Sequence, residues 1–397
     1  MRILLYSWNA NNEKILADNF IKLGFDVIWF QKECRHYTRD MELAMEMIQK
    51  VHAERVEAVV SFNYFPIISM ICNTCQIPYY AWVYDCPHFT LYAKQITLPY
   101  NHIAIFDKEM VRQLEDYGVQ TVYHVPLSVD RDYFHEVIAC SAQHEKEKYQ
   151  CDISFVGSLY TDSYNYYDLL FSNEKKGKNT ADEMGEAIRK QCFDYRKDCL
   201  RQAVSDGKVD MRILQNGMEQ HGLMLGEDYF AKAEDILMAA VLEKKVTVEE
   251  RRILLTEISG QFTGFRLYTG SDTGMLPELD ACNYGTVDYH RQMPFIFAGS
   301  KINLNISLRS IHSGIPLRVL DIMACGGFVL TNRQPEIGEY FEEGKEIAVF
   351  HSLEECIEKI DYYLRHEQER QQVAAAGQKK VQDIFSYRNG IEKLIRI

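Results

Sequence analysis

Over residues 1–125 short β-rich runs alternate with helical stretches, and this alternation narrows the fold more than any other feature of the chain. The runs are Ile3–Tyr6, Val27–Phe30, Ala58–Ser61, Tyr79–Tyr84 and Ile103–Phe106. Between them lie helical patterns, such as Met41, Ala44, Met45 and Ile48 behind a candidate cap at Thr38. Alternation of this kind predicts an α/β fold, a parallel sheet with helices on both faces. Ligands then belong at the carboxyl ends of the strands. The loop after the first strand, Ser7-Trp-Asn-Ala-Asn-Asn12, has no glycine. It cannot form the glycine-rich pyrophosphate turn of dinucleotide-binding domains, so a nucleotide is expected elsewhere.

The second half opens on Cys151-Asp-Ile-Ser-Phe-Val-Gly157, a strand ending where a ligand can approach the backbone. Residues 160–258 change character. They are charged and helical (Ala187 to Ala203, Glu234 to Leu242, Val248 to Ile258), which predicts a helical insertion. Alternating elements resume at Gly264-Phe-Arg-Leu-Tyr-Thr269, and helices follow over Leu353 to Leu364 and Gln368 to Phe385. The expected division is a first domain over 1–130, a linker over 131–150 and a second domain over 151–385. With 397 residues the chain has room for two cores of ordinary size.

Within the second half, residues 313–331 carry the most chemistry. A polar loop ending at Gly314 leads into a short helix. Gly326 and Gly327 stop it, and Phe328 to Leu330 reads as a buried strand. Arg318 falls in the first turn, where the helix dipole disfavours a cation by roughly 0.3–1 kcal/mol. An anion there reverses the sign, because free N–H groups and the guanidinium converge on it. Asp321, one turn later, has the reach to accept from sugar hydroxyls. Phosphate plus hydroxyls suggests a sugar nucleotide. The same pattern also fits an ordinary loop–helix–strand unit whose Arg318 pairs with a surface carboxylate.

Asp321-Ile-Met-Ala-Cys-Gly326 resembles the donor-site signature of glycosyltransferases with the two-domain B fold. Ser300-Lys-Ile-Asn-Leu-Asn-Ile-Ser307, Gly314-Ile-Pro-Leu-Arg318 and Phe341-Glu-Glu-Gly-Lys-Glu-Ile347 are similar to the CgeB-like (spore maturation) branch, in the same order. The resemblance implies two Rossmann-like domains facing across a cleft, the GT-B architecture, with the last helix (386–397) packing back on the first domain. It implies a nucleotide diphosphate sugar donor held by Gly157 and Ser158, by Gly270 and Ser271, by Val287 and Tyr289 on a short strand facing the base, and by Arg309, His312, Ser313, Gly314, Arg318 and Asp321. No cofactor is implied. Val125-Pro-Leu-Ser-Val-Asp130 resembles the interdomain segment of B-fold enzymes, so Asp130-Arg-Asp132 is assigned to the linker despite its likeness to a metal-binding Asp-X-Asp. Many related enzymes have glutamate eight residues before the second acid. Serine stands there at 313, and the second acid is Asp321; the stereochemistry of transfer stays open.

On the first half, Trp82-Val-Tyr-Asp85-Cys-Pro-His88 closes the fourth strand. Asp85 or His88 is a candidate base toward an acceptor hydroxyl. The competing assignment makes Asp85 a turn cap and His88 a surface residue. Asn9 and Asn11 are further acceptor-side candidates. The formal charge of −13 argues against nucleic acid. No apolar run approaches the ~20 residues of a membrane span. Eleven scattered cysteines fit reduced thiols in a cytosol, and the lone Cys72-Asn-Thr-Cys75 lacks the second pair a structural zinc needs. Two other functions share these residues: a sugar-nucleotide epimerase of similar fold, and a non-catalytic spore-coat or surface-assembly protein.

Overall fold

The computed structural model describes residues 1–161, 165–171, 178–220, 228–230, 233–274 and 276–397. Two all-parallel sheets organise the chain. The first holds β1 (Arg2–Ser7), β2 (Asp26–Gln31), β3 (Ala58–Phe62), β4 (Tyr79–Val83), β5 (Asn101–Ile105) and β6 (Val122–His124), in the order β2-β1-β3-β4-β5-β6. The second holds β7 (Cys151–Val156), β8 (Phe265–Tyr268), β9 (Ser300–Asn305), β10 (Val329–Asn332) and β11 (Ala348–Phe350), in the order β11-β10-β9-β7-β8. Both sheets therefore run outward in opposite senses from their first strand. Each has a switch point, between β1 and β3 and between β7 and β9, and a crevice opens at the carboxyl ends there. Strands β3 and β4 are buried at every position, as a sheet covered on both faces demands. The two-domain B architecture is this pair of sheets.

Three local expectations change. Asp40, not Thr38, caps the helix Met41–Glu54, accepting from Leu43 N; Thr38 donates its hydroxyl to Asp228. The segment 131–150 is largely helical, over Arg131–Ala139 and Gln143–Lys148. Asp130 caps the first of these helices through Tyr133 N (2.9 Å) and accepts from Asn19 (3.0 Å), while Asp132 pairs with Arg131. The two Asp-X-Asp carboxylates are thus committed to different partners. The run Ala187 to Ala203 is broken into Lys178–Gln191 and Cys199–Ser205, because the Gln191 side chain turns back on Asp194 O, Lys197 O and Cys199 N.

The described part of 160–258 is helical, as are the residues that continue it to Gln261. A run from Ala233 to Gln261 is interrupted only by a π-helical turn at Met238–Glu243. This segment touches both halves: Phe230 and Ile236 join the apolar core of the first sheet.

The last helix, Tyr387–Arg396, lies on the first sheet. Tyr387, Ile391 and Leu394, at helical spacing, bury against Trp82 and Leu16 in one apolar cluster. Each such side chain is worth about 1.5–3 kcal/mol of burial. Gly390 permits this seat, since a Cβ there would stand 2.2 Å from the Trp82 ring.

Candidate functional site

The short helix of residues Leu317–Ala324 follows a loop from β9 and leads into β10. Pro316 sets its start. Its end is a left-handed Gly326 (φ +79°), with Gly326 N and Gly327 N returning to Met323 O and Ile322 O. Arg318 sits in the first turn. Its guanidinium lies 3.7 Å from Asp321 Oδ2, 3.0 Å from Met293 Sδ and over the Phe297 ring. No oxygen closes on it at hydrogen-bond distance among the described residues, so its donors are only loosely engaged.

Asp321 is 1 % exposed. Burial pushes its carboxyl up from 3.8 to about 6, against the pull of Arg318 and of the Tyr289 hydroxyl, which donates to Oδ1 at 2.7 Å. Tyr289 in turn accepts from Asn12 Nδ2 at 3.1 Å. This chain crosses from the first half to the second. Beside it His290 bridges Tyr133 Oη (Nδ1, 2.9 Å) and Asn11 O (Nε2, 2.7 Å). With a proton on Nε2 the ring donates to Asn11 O and its Nδ1 meets the Tyr133 hydroxyl.

Val287 and Tyr289 do not form a strand; residues 284–288 are irregular, and Val287 packs beside Tyr289 on the core around the donor helix. Gly157 and Ser158 end β7, and Gly270 and Ser271 end β8. The two loops join through Ser158 Oγ and Ser271 Oγ (3.1 Å), and Ser271 Oγ accepts from Leu159 N (2.8 Å). A Cβ on Gly270 would meet Thr286 at 2.5 Å, so only glycine fits.

Four expected donor residues face elsewhere. Arg309 is held by the fully buried Glu250 (Nε to Oε2 3.0 Å) and lies 4.0 Å over the Tyr195 ring. His312 pairs with Glu243 at 3.1 Å, which raises its pKa to about 9. The backbone N–H groups of His312, Ser313 and Gly314 all point at Asp107 Oδ2, at 2.7, 3.0 and 3.3 Å. Three successive N–H groups make an anion nest, and here the occupant is a carboxylate of the first half. Gly314 passes so close that a Cβ would meet the Phe106 ring at 2.6 Å.

Arg251 escaped the sequence reading. Its guanidinium donates to Ser158 O and to Ile306 O (2.5 Å), at the ends of β7 and β9, and it lies between the Phe155 and Tyr160 rings. It braces the second switch point, with no carboxylate at ion-pair distance among the described residues. The signal was present: Val248, Arg251, Leu254, Leu255 and Ile258 share one helical face, and an arginine on an apolar stripe is a buried cation.

In the first half, Asp85 is exposed at the end of β4. Asn63 holds it, donating Nδ2 to Asp85 Oδ2 at 2.6 Å and accepting the Tyr84 and Asp85 N–H groups. His88 Nε2 is engaged by Thr90 Oγ1 (2.7 Å) and the Tyr64 backbone, and burial lowers its pKa. It is a neutral, positioned ring. Asn9, at φ +68°, accepts from Gln31 (2.7 Å) on the wall of a cavity of about 740 Å³ that also holds Asp85 and His88. Asn11 lies on the seam, through His290. Among the described residues Glu343, His351 and Glu355 could gather three metal ligands, but the Lys359 ammonium sits among them, 2.8 Å from each glutamate. All eleven cysteines are free. No helix among the described residues is long and apolar enough to cross a membrane.

Residues 251–396 match the family described as glycosyl transferase-like, which covers under two fifths of the chain. No curated protein matches. Solved structures share the whole fold. A glycosyltransferase of Rickettsia africae aligns with a TM-score of 0.54 and 11 % identity, covering 100 % of this chain and 97 % of that one. Anabaena HepE in complex with UDP-glucose aligns with a TM-score of 0.56 and 8 % identity, covering 100 % and 98 %. Sucrose-phosphate synthase of Thermosynechococcus elongatus gives 0.55 and 9 %, covering 100 % and 98 %. The chain has the GT-B fold, and residues 251–396 are similar to the glycosyl transferase-like family.

Proposed function

We propose that the protein is a glycosyltransferase of the GT-B type, moving a sugar from a nucleoside diphosphate sugar to an acceptor bound on the first half. The observation that carries this reading is the relay from Asn12 through Tyr289 to Asp321. It joins the loop that walls the acceptor cavity to the helix that carries Arg318. Arg318, near the helix N-terminus, would take the diphosphate; as the glycosidic bond breaks and charge grows on the leaving group, that cation stabilises it further. Asp321 would accept from donor hydroxyls. Gly157, Ser158, Gly270 and Ser271 would line the donor crevice, with Arg251 bracing its loops. Asp85, held by Asn63 and with no hydrogen bond to its other oxygen among the described residues, would take the acceptor proton.

The match of residues 251–396 supports the class, and HepE with its UDP-glucose makes that nucleotide sugar the first donor to try. A metal ion has no part in this proposal. The CgeB-like motifs support membership of that branch.

The test is a melting screen against nucleoside diphosphates, followed by product analysis. A ligand at 100 times its dissociation constant adds about 2.7 kcal/mol of stability. Release of nucleoside diphosphate should require an acceptor and survive excess chelator. An altered free sugar nucleotide without acceptor would mean an epimerase, and binding without any turnover a non-catalytic protein.

A further inference from the structure

The cavity at the carboxyl ends of β1, β2, β3 and β4 has two chemically different sides. One is aromatic. Phe65 is buried at its floor, with Trp8 and Tyr37 flanking it at centroid distances of 6.4 and 6.0 Å. Trp8 and Tyr37 are 36 % and 47 % exposed, yet the Trp8 ring is not free to turn: its Nε1 donates to Phe62 O at 3.0 Å and its backbone N–H to Glu13 at 2.9 Å. Two presented rings with one fixed in place form a platform for a flat apolar face.

The other side is polar and negative. Asp85 keeps one carboxylate oxygen free of protein hydrogen bonds, and the Glu33 carboxylate has no ion-pair or hydrogen-bond partner among the described residues. Lys32, the one lysine or arginine among the described residues of the wall, pairs with Glu42 and Glu46 at 2.9 and 2.6 Å. Burial lowers the His88 pKa there, which disfavours its charged form. Among the described residues no lysine or arginine on the wall is left to receive a phosphate.

We infer that the acceptor is a glycoside whose sugar ring is neutral or amine-bearing, and that the cavity rejects a phosphate on that ring. A pyranose offers an apolar C–H face to Trp8 and Tyr37 and turns hydroxyls toward Asp85 and Asn9. A phosphate would meet Glu33 and Asp85 with nothing to offset the repulsion. This inference rests on the glycosyltransferase reading only in calling the ligand an acceptor; binding itself is measured without donor.

The experiment is saturation-transfer NMR on the full chain with no nucleotide present. The probes are methyl β-glucoside, glucosamine and glucose 6-phosphate. Saturation should fall on the ring C–H protons of the first two. The phosphate form should bind at least about tenfold more weakly, the scale of one uncompensated like-charge contact. Trp8→Ala together with Tyr37→Ala should abolish transfer to the glycosides, and Trp8→Phe should restore most of it. Glu33→Gln, at an exposed position, should narrow the gap between glucoside and glucose 6-phosphate. Equal or tighter binding of the phosphate, glycoside binding that survives loss of both rings, or no glycoside binding at all would overturn the inference. The glycosyltransferase reading fails separately, if no nucleoside diphosphate sugar binds or turns over.

Discussion

The hydroxyl of Ser313 lies 2.9 Å from Asp107 Oδ1, across the seam between the two halves. The same oxygen lies 2.7 Å from Glu336 Oε1 and accepts the Glu109 N–H at 3.1 Å. Asp107 and Glu336 are both 1 % exposed. Glu336 also accepts from Lys108 N (2.9 Å) and pairs with His124 (2.9 Å). Serine at this position therefore has a structural reason. A glutamate here would be a third carboxylate against two buried ones.

Replacing Ser313 tests that arrangement. Ser313→Ala should cost about 1–2 kcal/mol, since Asp107 and Glu336 each keep other donors. Ser313→Glu should cost more, by burying an unpaired charge. Urea melts measure both; a midpoint unchanged in the alanine variant would mean that the seam does not depend on this hydroxyl.

Arg318 bears on ligand affinity. With no close oxygen partner of its own, it is free to meet a diphosphate, so Arg318→Ala should weaken nucleoside diphosphate binding by roughly 1.5–3 kcal/mol. Folding should stay near native. Equal calorimetric affinity in the variant would remove Arg318 from the donor site.

Two buried groups hold raised pKa values, and each takes stability away as pH rises through its own window. Asp321 stands at about 6 in the folded chain against 3.8 unfolded. The folded state therefore takes up its proton first, and stability from this group falls as pH rises from 4 to 6. The penalty above pH 6 is roughly 3 kcal/mol. Asp321→Asn keeps an acceptor for Tyr289 and should be the more stable protein at pH 8, with the gap closing toward pH 4. His312 has the same sign in a higher pH window. Its pKa, raised from 6.5 to about 9 by Glu243, contributes stability in full below pH 6.5 that is lost as pH rises through 9. Glu243→Gln should lose about 1–3 kcal/mol at pH 6 and converge with the parent near pH 10. Denaturant melts should show the Asp321→Asn advantage opening between pH 4 and 6 and the Glu243→Gln deficit closing between pH 6.5 and 9; a gap that stays constant across its window would defeat that assignment.

Catalysis across the seam is tested at Asp85. Asp85→Asn keeps the Asn63 neighbourhood but removes the proposed base, and should lower turnover by roughly a hundredfold or more. Donor affinity should hold, because the proposed donor residues belong to the other half. His88→Ala should act mainly through packing, given the Thr90 and Tyr64 contacts of Nε2. Normal turnover in the asparagine variant would place the acceptor chemistry elsewhere.

Much of the fold was legible along the chain. Each β-rich run before residue 110 corresponds to a strand within a residue or two, since strands buried on both faces leave unbroken apolar runs. Strand β6 went unread because Val122–His124 is three residues long and borrows its stability from pairing with β5. In the site, Arg318 and Asp321 were visible from local spacing alone. Asn63 was not: its importance comes from a left-handed backbone (φ +60°) that turns its amide onto Asp85, twenty-two residues on.

By itself the sequence determined the elements whose causes are local. The apolar periods, the glycine stop at Gly326 and the capping carboxylates at Asp40, Asp107 and Asp130 act within a few residues. They specify helices, strands and two parallel sheets. Only the tertiary structure decided which partner each polar side chain would meet. Asp107 and Ser313 are 206 residues apart, Arg309 and Glu250 are 59, and Asn12 and Tyr289 are 277. A charge in a sequence is equally suited to a ligand, a solvent-exposed face or a buried partner. The choice is made when burial removes water and the nearest complementary group becomes the only compensation left.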